Sequence, residues 1–291
     1  MLEVPGGRRS VGGCAEQNCT VTTASAAPTA TLDGWTRSTF SAAGLTHDRY
    51  EKGSGPGVVL IPELPGLTPQ VLGLAEHLVS EGFTVVVPSP FGTPEREQTG
   101  GYLLRTVGRL CVSAEFRAFA VNAKRPITTY LRAVAADLAG RAPGGKVGVI
   151  GMCFTGGFAL AAAVDASVAA SVVSQPAAPF PISPARRADP GFSEEEMDAV
   201  VARSRDDGFC ALGLRFSADR NSPRERFDTI ARRLGDAFEV IELDSSPGNP
   251  GGFSRSAHSV LTSEVRETPG HPALEARARV VRFLRERLSA S

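Results

Sequence analysis

Two apolar patterns alternate along the chain. Short, largely apolar runs occur at Gly57–Ile61, Thr84–Val87, Lys146–Ile150, Val168–Ser174, Cys210–Phe216 and Phe238–Leu243. Runs of this length, with few polar interruptions, predict strands buried on both faces. Between them the apolar residues fall three and four apart: Val71, Leu74, Ala75 and Leu78, then Ile127, Leu131, Val134 and Leu138, then Phe227, Ile230, Ala231 and Leu234. That spacing predicts helices with one inward face. A last helix from Pro272 places Leu274, Val281, Leu284 and Leu288 inward.

Punctuation agrees with the pattern. Thr68-Pro69 reads as a helix cap followed by proline in the first turn, and Gly82 and Gly140 follow helix ends. Ser193 with Glu196, and Ser222 with Glu225, have the spacing of capping boxes. Upstream, Ser38–Phe40 and Asp48–Glu51 bracket a hairpin around Gly44, and a further helix falls between Tyr102 and Phe119. Strands alternating with helices predict an α/β domain with a mostly parallel central sheet and helices on both faces. Residues 1–36 are rich in Gly, Ala, Ser and Thr without periodicity and predict a disordered leader, ahead of a single domain over 37–291.

Composition narrows the function classes. The 291 residues are 42% hydrophobic, and 31 Lys+Arg balance 31 Asp+Glu. Zero formal charge argues against a nucleic-acid partner, which needs excess positive charge against phosphate. The longest apolar stretch, Phe158–Val173, is interrupted by Asp165, so no membrane span is expected. Arg8-Arg9 has no apolar run after it to complete an export signal, and Cys14 has none before it to complete a lipidation signal. Five cysteines in a chain this long form no disulfide framework, and a cytoplasmic location is expected.

The chemistry concentrates at Gly151-Met152-Cys153-Phe154-Thr155-Gly156-Gly157, where a predicted strand runs directly into a predicted helix. A sharp strand-to-helix turn exposes one side chain above the sheet edge, and a helix N-terminus favours a thiolate there. Cys153 is therefore the candidate nucleophile. In this arrangement an acid and then a histidine follow in the chain. His258 lies in the loop after the last strand; His271, the other downstream histidine, precedes the terminal helix as a cap. Asp219 stands just past the Cys210–Phe216 strand, with Asp244 as the runner-up acid.

Four pieces in order resemble the dienelactone hydrolase family, of the α/β-hydrolase fold. They are Gly57-Val58-Val59-Leu60-Ile61-Pro62-Glu63-Leu64-Pro65-Gly66, the Gly-Met-Cys elbow, Asp219 with Pro223, and Ala257-His258-Ser259. The resemblance runs from about Ser38 to the C-terminus. It implies a hydrolase of small esters or lactones working through Cys153, Asp219 and His258. It further implies that Glu63 pairs with the thiol and moves when substrate arrives, and that the N–H groups of Leu64 and Phe154 form an oxyanion hole.

Two departures stand out. Thr155 occupies the place of a family glycine, where its bulk is expected to crowd the turn. Thr262 stands four residues after the histidine, where the family carries an arginine that grips a substrate carboxylate. Arg255, Arg215 and Arg105 are candidate substitutes for that arginine, though nothing in the sequence aims them at the site. A thiolate nucleophile requires no cofactor, and the four histidines show no metal-ligand spacing with cysteine. The expected partner is a small-molecule substrate, with the chain a monomer or homodimer. The departures also leave open an inactive binding protein of the same fold, or a redox sensor in which Cys14, Cys19, Cys111 or Cys210 resolves an oxidised Cys153.

Overall fold

Strand formation follows the apolar runs. In a computed structural model, which describes Met1 and residues 26–117 and 120–289, β1 (Thr36–Ala42) and β2 (Leu45–Lys52) form the expected hairpin. β3 (Gly57–Ile61), α1 (Pro69–Ser80), β4 (Thr84–Ser89), α2 (Gly100–Cys111) and α3 (Pro126–Ala139) follow. Next come β5 (Val147–Met152), a 3-10 turn at Cys153–Thr155, α4 (Gly156–Ala162) and β6 (Val168–Ser174). The chain continues through α5 (Pro184–Ala188), α6 (Glu194–Asp206), β7 (Cys210–Phe216), α7 (Arg224–Leu234), β8 (Phe238–Leu243) and α8 (Pro272–Leu288).

The described strands make one eight-stranded sheet in the order β1-β2-β4-β3-β5-β6-β7-β8. The β1–β2 and β2–β4 pairs are antiparallel, and every pair from β4 to β8 is parallel. Successive side chains on a strand point to opposite faces, and each face acquires its own core. Val58, Leu60, Ile150, Val172 and Leu214 pack with α1 and α8, whereas Val59, Ile61, Val149 and Val173 pack with α3, α4, α6 and α7. Full burial of each Val or Leu contributes about 1.5–3 kcal/mol. The mostly parallel sheet with helices on both faces is as the periodicity predicts.

Two of the expected side-chain caps form. Thr68 Oγ1 accepts the Val71 N–H at 3.3 Å, and Ser193 and Glu196 complete a capping box. The box expected at Ser222 does not form. Pro223, in an extended conformation, takes the N-cap position of α7, and Ser222 turns inward, fully buried, its carbonyl accepting Arg215 Nε–H at 3.2 Å.

The expected leader divides. Residues 2–25, including Cys14 and Cys19, lie outside the described residues. Residues 30–35 are docked on the body: the Ala30 N–H donates to Pro69 O at 3.0 Å, and the buried Trp35 donates through Nε1 to Glu76 at 2.6 Å. Docked contacts therefore begin upstream of residue 37, where the domain is expected to start. No described helix is long and apolar enough to cross a membrane.

β3 is the switch point of the sheet. From it the chain goes to β4 on one side and, after α3, to β5 on the other. Crevices at the carboxyl ends of strands at such a point are where α/β sheets bind ligands. Ile61 of β3 pairs with Gly151 of β5, so Glu63 and Leu64 emerge beside Cys153.

Candidate active site

Cys153 follows β5 directly and has φ +54°. Positive φ is uncommon for a residue with a side chain, and such strain gathers at functional sites. The turn is possible because its neighbours leave room. A Cβ on Gly151 would lie 2.4 Å from Thr155 O. Gly156 and Gly157 admit close neighbours, Pro176 and Pro190 of the segment after β6, which a Cβ would approach to 2.7 Å and 2.4 Å. The segment between Pro176 and α6 thus presses on the first turn of α4.

Thr155 does not crowd the elbow as expected. It is fully buried, and its Oγ1 accepts the Met152 N–H at 3.1 Å. The hydroxyl proton has the carbonyls of Met152, Pro62 and Ile61 within 2.9–3.3 Å. The hydroxyl ties the end of β5 to the end of β3, filling the space that a glycine would leave empty.

His258 Nδ1 lies 2.6 Å from Asp219 Oδ2, and the buried Asp219 also accepts the Asn221 N–H at 2.9 Å through Oδ1. Asp244 is occupied elsewhere, accepting the Ser246 N–H at 2.8 Å at the surface. With Nδ1–H donated to the carboxylate, Nε2 is left for Cys153. Burial pulls the His258 pKa down. The charge of Cys153, the hydrogen bonds to Asp219 and Cys153, and the charge of Asp219 outweigh it and raise the imidazole well above 6.5. Cys153 is half-buried.

Phe154 sits in the 3-10 turn after Cys153, and the N–H groups of a first helical turn have no intrahelical acceptor. The Phe154 ring is fully buried, edge-on to Phe158 at 5.7 Å and 5.6 Å from Phe116. Leu64 lies just past β3, joined to Pro65 by a cis peptide.

Glu63 departs from the expected pairing with the thiol. It is buried, and it accepts Ser259 Oγ–H at 2.8 Å, Gln175 Nε2–H at 3.2 Å and the Thr262 hydroxyl. Thr262, expected only as the site of a missing arginine, is thus a partner of Glu63. Gln175 was not singled out in the sequence. Its signals are structural: φ +32° and complete burial at the end of β6. Ser259 was visible only as the neighbour of His258.

Of the substitute arginines, Arg215 is taken, bonding to Ser222 O and to Glu242. Arg255 lines a cavity of about 490 Å³ with Asp219, Arg220 and Asn221. Arg105 lines another, of about 360 Å³, with Arg96 and Arg109. Among the described residues no cluster of three or more His, Cys, Asp or Glu could hold a metal ion.

A family model described as the dienelactone hydrolase family matches residues 44–191, about half of the chain. The chain belongs to the dienelactone hydrolase family. The matched span holds Glu63, Leu64 and the Cys153 elbow and stops before Asp219 and His258. Solved structures share the fold. A dienelactone hydrolase-like promiscuous phosphotriesterase from metagenomic libraries aligns with TM-score 0.59 at 17% identity, over 87% of this chain and 98% of its own. A dienelactone hydrolase from Anabaena variabilis aligns with TM-score 0.53 at 13% identity, over 87% and 98%. A 2,6-dihydroxy-pseudo-oxynicotine hydrolase aligns with TM-score 0.50 at 14% identity, over 88% and 68%. No functionally curated sequence matches the chain.

Proposed function

We propose that this member of a hydrolase family cleaves small carboxylic esters or lactones with Cys153 as nucleophile, His258 as acid and base, and Asp219 as the orienting carboxylate. One observation carries the reading. A cysteine held at positive φ on a strand-to-helix turn stands near enough to a histidine to act on its charge, and Nδ1 of that histidine lies 2.6 Å from a buried carboxylate. That is the nucleophile–base–orienter arrangement of covalent catalysis.

The Cys153 thiolate attacks the carbonyl carbon, and the oxyanion is held by the N–H groups of Leu64 and Phe154. The tetrahedral intermediate collapses, breaking the ester C–O bond, and the departing alkoxide takes the proton from His258 Nε2. A thioester on Cys153 remains. His258, now neutral, removes a proton from water as it attacks the thioester. Collapse expels the thiolate and releases the acid; in a lactone the alkoxide and the acid belong to one product. No step needs a metal or a cofactor.

The experiment is a burst-resolved assay with p-nitrophenyl acetate on wild type, Cys153→Ala and His258→Ala. Turnover is expected in the wild type and lost in both variants. Unchanged turnover in purified Cys153→Ala would overturn the assignment.

A further inference from the structure

The three donors on Glu63 converge from two directions. Ser259 directly follows His258, and Thr262 is three residues further on. The Thr262 and Glu264 N–H groups both reach Ser259 O, at 3.3 Å and 3.2 Å, which closes residues 259–264 into one turn. Both hydroxyls of that turn bind the Glu63 carboxylate, Ser259 on Oε2 and Thr262 on Oε1. From the other side comes Gln175, itself fixed: its N–H donates to Leu214 O at 2.7 Å, and Ser174 Oγ donates to its Oε1. Three donors occupy most of the roughly four acceptor sites that a carboxylate offers. None of the three is Cys153, which acts on the charge of His258 instead.

We propose that Glu63 is a positioning residue whose carboxylate ties the His258 turn to the end of β3, and that the Cys153 proton passes to His258 rather than to Glu63. The inference rests on the reading of Cys153 as nucleophile and deepens it. In the step concerned, the S–H bond breaks and an Nε2–H bond forms, leaving a thiolate beside an imidazolium with no other reactant. Thr262 is what makes Glu63 unavailable. An arginine at that position would reach outward for an anion, whereas the buried threonine hydroxyl reaches back to the carboxylate. The resting site is then a thiolate–imidazolium pair formed before substrate arrives.

Two roles for Glu63 predict opposite signs when its donors are removed and its charge is kept. The test is the double variant Ser259→Ala/Thr262→Val, compared with wild type and Thr262→Ser. The thiolate population is read by ultraviolet absorbance against pH, with Cys153→Ala subtracted. If Glu63 positions the His258 turn, the double variant loses the pair. Its thiolate fraction at neutral pH then falls to about the few per cent of an unperturbed thiol. kcat/KM for p-nitrophenyl acetate falls by about 10-fold or more, because proton transfer depends on placement. Thr262→Ser, which keeps the hydroxyl, restores both.

If Glu63 instead accepts the thiol proton, freeing it from its donors leaves the thiolate fraction equal or higher, and that result overturns the proposal. A wild type that turns over p-nitrophenyl acetate through Cys153 without a resting thiolate signal also overturns the proposal, whereas turnover that survives Cys153→Ala overturns the nucleophile reading itself, which separates the two failures. If the double variant does not fold, Thr262→Val, which preserves side-chain shape, is read by the same two measurements.

Discussion

Asp219 Oδ2 stands 2.6 Å from His258 Nδ1, across 39 residues of sequence and two loops. The carboxylate holds the Nδ1–H, and so fixes which nitrogen faces Cys153. Asp219→Asn keeps the shape and offers Nδ1 a neutral partner. The expected result is a folded protein whose kcat/KM falls on the order of 10²-fold or more, the usual scale for misdirected acid–base catalysis. Steady-state kinetics with an activated ester, beside an unchanged far-ultraviolet dichroism spectrum, checks it; a loss below tenfold would remove Asp219 from the site.

The pH dependence follows from the balance on His258. Burial lowers its pKa, and the Cys153 charge and the Asp219 partnership raise it further than burial lowers it. A proton donor is active below its pKa, so the alkaline limb of kcat/KM lies well above the 6.5 of an ordinary histidine. In Cys153→Ala two of the raising influences vanish and burial remains, so the His258 resonance titrates at lower pH than in the wild type. NMR titration of the four histidines measures this directly. An unshifted His258 in the variant would mean that the sulfur and the imidazole do not interact.

Much of this site is legible in the sequence because it is local. The elbow is a run of adjacent residues, and its meaning comes from a strand pattern meeting a glycine-flanked cysteine. Asp219 and His258 are legible through chain order, each placed after a readable strand. Glu63 is different. Its donors lie 112, 196 and 199 residues away, and nothing in their spacing marks them. Thr262 reads in sequence as an absent arginine, because a motif registers what is missing and not what the replacement touches. Thr155 likewise reads as bulk, since two of the three carbonyls around its hydroxyl, those of Ile61 and Pro62 at the end of β3, lie more than 90 residues upstream. The Ser222 box failed for a local reason, as Pro223 directs the chain so that Ser222 faces inward.

The Thr155 hydroxyl gives a prediction on stability. Thr155→Val preserves the β-branched shape and leaves the buried Met152 N–H without the acceptor it now has at 3.1 Å. An unsatisfied buried donor costs about 1–3 kcal/mol. Denaturant unfolding should show that loss in the midpoint with an unchanged slope. Thr155→Ser, which keeps the oxygen, should recover part of it. A Thr155→Val variant as stable as wild type would mean that the hydroxyl contributes only packing.

Arg226 holds the segment that overhangs the elbow. Fully buried in α7, it donates to the carbonyls of Asp189, Pro176, Pro179 and Arg186 at 2.6–2.7 Å. Burial pulls its pKa down to about 10, which still leaves it charged at neutral pH. One guanidinium therefore serves four carbonyls along residues 176–189, and Pro176 and Pro190 at the borders of that stretch press on Gly156 and Gly157 beside Cys153. Arg226→Met keeps most of the apolar stem and abandons all four carbonyls. With each unsatisfied group costing about 1–3 kcal/mol, the segment should open below the global unfolding transition. Limited proteolysis should then cut first within residues 176–190, at denaturant concentrations where the wild type is intact. The same variant should lose esterase activity in parallel with the cutting, because the elbow loses its covering wall; full activity in a variant whose segment is already open would show that the wall plays no part in the chemistry.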